Sequence, residues 1–239
     1  MGIKLQVGIA IEKSIDKLVQ VNYKLLPFIP NGRILPLDLK RALIKPKTIF
    51  DIGANIGQTS NYFLKNFPDA EIYSFEPVAA TYAQLAANVK SNKIHIYNEG
   101  LGAAVSNQTI YINDSSETSS LKDVDGKFSK TEVVKINTAQ NFCTQNKIKE
   151  IDLLKIDVEG YELEVLDGLG PLLNNVKAIY SEVGFDKNDP NKTYFPDLLE
   201  RCEKSGFITS GFYDPYRWGN GKLNVFYNVL LINTNLIDI

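Results

Sequence analysis

The sequence has few of the features that cross-link a protein, anchor it in a membrane or direct it to an extracellular compartment. Its 239 residues include two cysteines, Cys143 and Cys202, and neither has neighbours spaced as metal ligands, so neither a disulfide framework nor a zinc site is predicted. No window approaches the roughly 20 apolar residues of a membrane-spanning helix. The N-terminus also lacks the basic and then apolar run of a signal peptide. We therefore expect a cytoplasmic protein without a membrane span.

The charge balance argues against a nucleic-acid-binding function. Lys and Arg together number 26 and Asp and Glu 28, for a formal net charge of −2. No basic excess of the kind that nucleic-acid-binding domains carry is present. The composition, 44% hydrophobic and 23% charged, is that of an ordinary globular protein. Partners must be recognised by local sites, and no nucleic-acid partner is expected; the oligomeric state stays open.

From residue 47 onward, short apolar runs alternate with helical periodicity, which predicts a mostly parallel sheet with helices on both faces. Strands are predicted at 48–51, 71–75, 93–97, 151–156 and 178–183, and helices at 57–66, 79–91, 138–146, from 160 onward and at 195–205. Two final β runs, 207–213 and 225–232, suit an antiparallel hairpin. The result is an α/β, Rossmann-like sheet of about seven strands in which the last strand is antiparallel.

Two segments depart from this rhythm. Residues 1–45 contain Pro27, Pro30 and Pro36 and a weakly periodic stretch at 11–26, which predicts a helical lead-in element before a single domain at 46–239. Residues 100–137 show β-like alternation on both sides of a stretch rich in Ser, Asp and Gly at 113–129. This pattern predicts a small β insertion that carries a mobile loop.

The first chemical motif, Asp-Ile-Gly-Ala-Asn-Ile-Gly-Gln-Thr at 51–59, lies where the first strand passes into the first helix. Ligands of open α/β sheets bind at this edge. A dinucleotide fingerprint would need glycine at 53, 55 and 58, but Asn55 and Gln58 stand there. A P-loop is also absent, because no Gly-Lys-Ser/Thr follows. An acid two residues before Gly53 suits a cationic ligand better than a phosphate.

The second motif is Glu76, which ends the second predicted strand and precedes Pro77. A carboxylate at this strand tip can accept hydrogen bonds from both hydroxyls of a ribose. Its alternative is a surface acid ahead of a helix.

The third motif follows the fourth predicted strand and reads Leu-Leu-Lys-Ile-Asp-Val-Glu-Gly-Tyr-Glu at 153–162. Strand alternation places Lys155, Asp157 and Glu159 on one face, so several charges converge at the ligand edge. Glu162 is predicted to be only an acid of the first helical turn, favoured there by the helix dipole.

These motifs resemble those of the FkbM-type methyltransferases, which use S-adenosylmethionine. The matching segments are 50–58, Ser-Phe-Glu-Pro at 74–77, Ser-Ser-Leu at 119–121, 154–162 and Ser-Glu-Val at 181–183. The combination of Phe-Glu-Pro with Asp-Val-Glu-Gly is far more specific than a glycine motif alone. The resemblance implies a class I methyltransferase fold and O-methylation of a hydroxyl on a sugar, glycan or natural product.

The implied cofactor agrees with the acids in the motifs, because S-adenosylmethionine carries a sulfonium cation and an ammonium group but no phosphate. Asp51 and the backbone around Gly53 would face its methionine moiety, Glu76 its ribose, and residues 98–101 its adenine. The residues that the resemblance assigns to the cofactor are Asp51, Gly53, Asn55, Gly57, Gln58, Thr59, Glu76, Pro77, Gly100, Leu101 and Asp157.

Methyl transfer to an alcohol needs a positioned acceptor and a group that takes its proton. The single histidine, His95, lies within a predicted strand and is more typical of a structural residue. Asp157, Glu159 and Glu182 follow or end strands at the ligand edge, and each can serve as a base or hold a divalent cation that acidifies the hydroxyl. The sequence leaves the choice between base and metal open.

An aromatic segment at 212–218 has two possible roles. Its Tyr216 and Trp218 can stack on a sugar ring or simply pack.

Two rival functions stay open. A nicotinamide-dependent oxidoreductase is one, disfavoured by Asn55 and Gln58. A non-catalytic nucleoside-binding domain is another, disfavoured by the retained acids.

Overall fold

The helices and strands follow the predicted alternation. The computed structural model describes residues 29–112, 130–218 and 223–237. In chain order it contains α1 (Leu35–Arg41), β1 (Thr48–Ile52), α2 (Gln58–Asn66), β2 (Glu71–Phe75), α3 (Ala79–Asn88), β3 (Ile94–Tyr97), β4 (Gly100–Leu101), β5 (Ser106–Ile112), β6 (Lys130–Asn137), α4 (Ala139–Asn146), β7 (Ile151–Ile156), α5 (Glu162–Asp167), a 3-10 helix (Gly170–Asn175), β8 (Val176–Gly184), α6 (Phe195–Glu203), β9 (Phe207–Trp218) and β10 (Leu223–Asn233).

Seven of these strands form the main sheet, in the order β3-β2-β1-β7-β8-β10-β9. The pairs from β3 to β8 are parallel, and β10 runs antiparallel to both β8 and β9. The predicted mostly parallel sheet with an antiparallel last strand is therefore confirmed. Because β1, β2, β7 and β8 are parallel, their carboxyl ends meet along one edge, where open α/β sheets bind ligands.

Apolar side chains from both faces of the sheet form the core. Phe50, Ile52 and Leu154 belong to the cluster on one face, and Ile49 and Leu153 belong to the cluster on the other. Burial on both faces explains why β1 and β7 are apolar runs with few polar residues. No helix within the described ranges is long and apolar enough to cross a membrane.

The lead-in segment contains an element that the sequence did not predict. The helix predicted at 11–26 lies outside the described residues, whereas α1 forms further along the same segment and includes Pro36. Pro36 is tolerated there because it occupies the first turn, where a missing N–H breaks no helical hydrogen bond. Buried Asp38 accepts hydrogen bonds from the hydroxyl of Tyr213 at 2.6 Å and from the backbone N–H of Gly32 at 2.9 Å. These contacts attach α1 to the main sheet.

The predicted β insertion is a second sheet of three strands, β4-β6-β5. Strands β5 and β6 pair antiparallel from Ser106 opposite Ile136 to Ile112 opposite Lys130. Ile110, Val134 and Ile136 pack with Val78 in a separate apolar cluster. The insertion therefore packs against the segment that follows β2. The loop predicted at 113–129 lies outside the described residues.

Gly53 provides a test of how closely the loops after β1 and β7 approach each other. A Cβ added at Gly53 would lie 1.9 Å from the carbonyl oxygen of Asp157, and its φ is +74°. Gly170 has a similar φ of +52° but nothing within 4 Å of an added Cβ. We expect Gly53→Ala to lower the free energy of unfolding by at least about 2 kcal/mol more than Gly170→Ala, measured by denaturant titration. Equal losses would show that the close approach does not matter.

Candidate active site

An open cleft lies at the carboxyl ends of β1, β2 and β7, beside the small sheet. Its empty volume, including solvent at the mouth, is about 710 Å³, a usual size for a small-molecule site. The predicted cofactor residues that line it are Gly53, Asn55, Glu76, Pro77, Gly100, Leu101 and Asp157. Most of the predicted constellation is thus brought together in one place.

Asp51 lies beneath this cleft and not on its wall. Its side chain is fully buried; Oδ1 lies 3.1 Å from Nζ of Lys155, and Oδ2 accepts a hydrogen bond from the Ser60 hydroxyl at 2.5 Å. Nζ of Lys155 also donates to the carbonyl oxygen of Gly53 at 2.8 Å. Burial acts to lower the pKa of Lys155, but the charges of Asp51 and Asp157 outweigh it and raise the pKa. The structure therefore makes Asp51 half of a buried ion pair that supports the turn.

The turn between β1 and α2 places its backbone against β2. The N–H groups of Gly53 and Ala54 donate to the carbonyl oxygen of Phe75 at 3.1 and 3.0 Å. Gly57 has a φ of +90°, and a Cβ there would lie 2.8 Å from Cδ1 of Leu85 on α3. Gly57, Gln58 and Thr59, also predicted to bind the cofactor, are not among the residues that line the cleft. Gly57 instead lets α2 and α3 pack closely.

Glu76 is the central acceptor of the cleft. Its carboxylate is largely buried and accepts hydrogen bonds from the backbone N–H groups of Asn55 at 3.1 Å and Val78 at 3.0 Å. Burial raises the pKa of Glu76 to about 7, although these bonds act to lower it. The buried Oδ1 of Asn55 has no hydrogen-bond partner among the described residues. An acceptor-rich wall of this kind fits a ligand that brings hydroxyl or amine donors.

The wall beyond Glu76 is mostly apolar. Pro77, Val78, Leu101 and Ile110 line it, where a flat aromatic group would lose little hydration. Asn98, predicted near the adenine, instead donates its amide to the carbonyl oxygens of Glu76 and Pro77, both at 3.0 Å. Its amide therefore shapes the β2–α3 connection.

Three acids meet where β7 and β8 end; Asp157 and Glu159 line the cleft, whereas Glu182 is not among its lining residues. Asp157, Glu159 and Glu182, the acid cluster, each offer one carboxylate oxygen, and these oxygens lie within 4.8 Å of one another. Burial together with Asp157 raises the pKa of Glu182 to about 7, although Lys192 acts to lower it. Burial also raises the pKa of Glu159. The predicted strand alternation does not extend to Asp157 and Glu159, because β7 ends at Ile156 and Glu159 has a φ of +53° in the turn that follows. The turn nevertheless brings them close to Glu182, so the acids that sequence reasoning selected as catalytic do meet.

Lys192 was missed by sequence reasoning. Its Nζ lies 2.6 Å from Oε2 of Glu159 and donates a short hydrogen bond to Oε2 of Glu182. It belongs to the loop between β8 and α6, where neither periodicity nor a motif marks it. No local signal identifies its partners, because they lie 33 and 10 residues away.

Glu162 begins α5, as predicted, but its role differs from the predicted one. It is almost fully buried, and its Oε1 accepts from the N–H groups of Val158 at 3.1 Å and Gly160 at 3.3 Å. Its Oε2 accepts from the hydroxyl of Thr193 at 2.5 Å. The interpretation as a simple first-turn acid is wrong, because Glu162 holds the turn that carries Asp157 and Glu159.

Two of the remaining candidates, His95 and Tyr216, are not among the residues that line the cleft. Nε2 of His95 lies 2.8 Å from Oε2 of Glu71, and its ring stacks on Tyr73, an arrangement expected of a structural histidine. Tyr216 is half exposed and stacks on Phe226 with ring centroids 4.5 Å apart. The side chain of Trp218 lies outside the described residues.

Comparisons with known proteins agree with this geometry. Residues 51–209 match the Methyltransferase FkbM domain, and the chain belongs to that family. The chain is 30% identical over 145 residues to Methyltransferase 1 of Beauveria bassiana, covering 51% of this chain and 57% of that protein. It is 26% identical over 164 residues to the hexuronic acid methyltransferase AglP of Haloferax volcanii, covering 67% and 64%.

A solved structure shows the same fold. The crystal structure of Methyltransferase FkbM from Methylobacillus flagellatus KT superposes with a TM-score of 0.50 at 12% identity, covering 77% of this chain and 44% of that one. The fold is therefore that of the class I methyltransferases. The matched regions span 57% of the Beauveria protein and 44% of the Methylobacillus chain.

The raised pKa of Glu76 predicts a pH dependence of stability in the apoprotein. A folded-state pKa of about 7, above the usual 4.5, means that the native state binds the proton more tightly than the unfolded state. The tighter proton binding adds to the free energy of unfolding. This added stability is fully present below about pH 4.5 and is lost as the pH rises through 7. We expect the gain in unfolding free energy from pH 8 to pH 6 to be about 1 kcal/mol smaller in Glu76→Gln than in wild type.

The measurement is guanidinium unfolding at both pH values. Glu203→Gln, at an exposed position on α6, serves as the matched control and should keep the wild-type difference. An unchanged difference in Glu76→Gln would show that Glu76 does not titrate in this range.

Proposed function

We propose that the protein is an S-adenosylmethionine-dependent O-methyltransferase that acts on a hydroxyl of a sugar, glycan or natural product. The observation that carries the proposal is that one cleft is lined both by the Glu76 acceptor wall and by Asp157 and Glu159, two members of the acid cluster. Family membership supports methyl transfer, and the hexuronic acid methyltransferase among the relatives supports an acceptor of the sugar class.

The residues of the cleft fit the proposed cofactor. Glu76 would accept hydrogen bonds from ribose hydroxyls, and the unpartnered Oδ1 of Asn55 would accept one more. The apolar wall around Leu101 would hold adenine, and Asp157 would face the cationic end. S-adenosylmethionine, when bound, supplies the methyl group to be transferred.

The acid cluster would prepare the acceptor hydroxyl. Glu182 has a pKa of about 7, so at neutral pH a substantial fraction is ionised and can accept a proton, as an efficient general base requires. Glu159 shares Lys192 with Glu182 and would orient it. Asp157 has a side chain that is 41% exposed and lines the same cleft as Glu76. We therefore assign proton acceptance to Glu182 and charge stabilisation to Asp157.

Ligand binding distinguishes this proposal from the rival functions. S-adenosylhomocysteine should raise the melting temperature of the protein, because a ligand of the native state stabilises it by mass action, and NAD should not. Stabilisation by NAD alone would contradict the methyltransferase assignment.

The same ligand tests the role of Glu76. Glu76→Ala should weaken S-adenosylhomocysteine binding by roughly 2 kcal/mol, or about 30-fold, in calorimetric titration, since charged hydrogen bonds are lost. Glu71→Ala, on the same strand with an exposed carboxylate, should bind like wild type. Equal affinity in both variants would remove Glu76 from the cofactor site.

The acid cluster is tested by turnover. Asp157→Asn and Glu182→Gln should each lower kcat by about 100-fold in a methyl-transfer assay on a panel of sugar and natural-product alcohols, as loss of a base or of charge stabilisation commonly does. Glu203→Gln should retain wild-type kcat. Wild-type turnover in Asp157→Asn and Glu182→Gln would place the chemistry elsewhere.

A further inference from the structure

The acid cluster brings three carboxyl groups to one point. Their oxygens, within 4.8 Å of one another, repel each other unless a cation lies among them, because Coulomb energies at such distances reach several kcal/mol in a partly buried site. A divalent metal ion is one cation that oxygen ligands in this arrangement hold. The side chain of Lys192 is another.

Lys192 meets the requirements of a fixed cation. Its side chain is only 11% exposed, and its ammonium contacts Glu159 and Glu182. Nζ also lies 4.5 Å from the ring centroid of Phe226. An ammonium has three N–H donors, and two carboxylates and one aromatic face account for them. The ammonium therefore has a partner in each direction.

The backbone next to Lys192 is anchored through Thr193. The N–H of Gly184, at the end of β8, donates to the carbonyl oxygen of Thr193 at 2.9 Å, while the Thr193 hydroxyl bonds Glu162. A Cβ at Gly184 would lie 2.9 Å from Cβ of Lys192, so the glycine makes room for the lysine. These contacts hold the ammonium where the acids converge.

We propose that Lys192 is a positioning residue that takes the place of a divalent metal ion in the acid cluster. Its ammonium balances Glu159 and Glu182 and holds both carboxylates in place for the acceptor hydroxyl. This inference rests on the proposed function for its purpose, but the occupancy of the cluster by Lys192 is testable without methyl transfer. We expect an ammonium at Glu159 and Glu182 to weaken the binding of a second cation there, because the two positive charges repel each other.

Metal binding to the protein, without cofactor or acceptor, tests the inference. A calorimetric titration with Mn²⁺ should show no saturable site in wild type up to about 1 mM, because the ammonium of Lys192 already occupies the carboxylates of Glu159 and Glu182. Lys192→Ala removes the ammonium and leaves space, so it should bind Mn²⁺ at least tenfold more tightly than wild type. Lys192→Arg keeps the charge and should behave like wild type.

Lys177 offers a matched control, because it also bridges two acids, Glu150 at 2.7 Å and Asp152 at 2.8 Å, away from the cleft. Lys177→Ala should therefore gain no Mn²⁺ site at the acid cluster. Any Mn²⁺ binding that it does show should persist when Glu182→Gln is added to it. A wild-type Mn²⁺ site that is lost in Glu182→Gln would overturn the inference. So would the absence of Mn²⁺ binding in folded Lys192→Ala.

A second measurement uses the wild-type enzyme in case Lys192→Ala does not fold. Methyl transfer should be unchanged by a chelator, and loss of turnover that Mg²⁺ or Mn²⁺ restores would contradict the proposal. If no acceptor is turned over, the proposed function is in question, whereas the Mn²⁺ titrations still decide whether Lys192 occupies the cluster.

Discussion

The buried ion pair between Asp51 and Lys155 is the interaction on which the cleft depends. It joins β1 to β7 at the ligand edge, and the same ammonium donates to the carbonyl oxygen of Gly53. Removing either partner would leave a charge in a place that water barely reaches, which is strongly destabilising. The pair therefore fixes the turn that Gly53 begins and, through it, the position of Asn55 beside Glu76.

Above this pair, the polar groups of the cleft divide into two zones with different chemistry. The Glu76 zone presents acceptors and an apolar wall, which suits a neutral nucleoside with hydroxyl donors. The acid cluster concentrates carboxylates, two of which pair with Lys192. This arrangement suits a cationic methyl donor and an acceptor hydroxyl that must lose its proton. Methyl transfer from a sulfonium to an alcohol would use both zones, and a single reaction that needs both supports the proposed function.

Sequence reasoning succeeded where the signal is local. The strand at 151–156 was predicted with its observed bounds, because a run buried on both faces has a recognisable composition. Glu76 and Asp157 were placed at strand ends, and parallel strands bring such ends together. The prediction for Glu162 failed because a helix-terminal acid has the same local sequence whether it faces solvent or, as here, is almost fully buried.

By itself, the sequence determined the fold class, the order of helices and strands, and the acids that stand at the ligand edge, since apolar periodicity and motif spacing are properties of short segments. Only the tertiary structure decided that Asp51 lies beneath the cleft, that α1 packs on the sheet, and that Lys192 lies among the acids. Each of these depends on which distant side chain supplies the partner for a buried polar group. That choice follows from the packing of strands, helices and loops in three dimensions, and no local pattern encodes it.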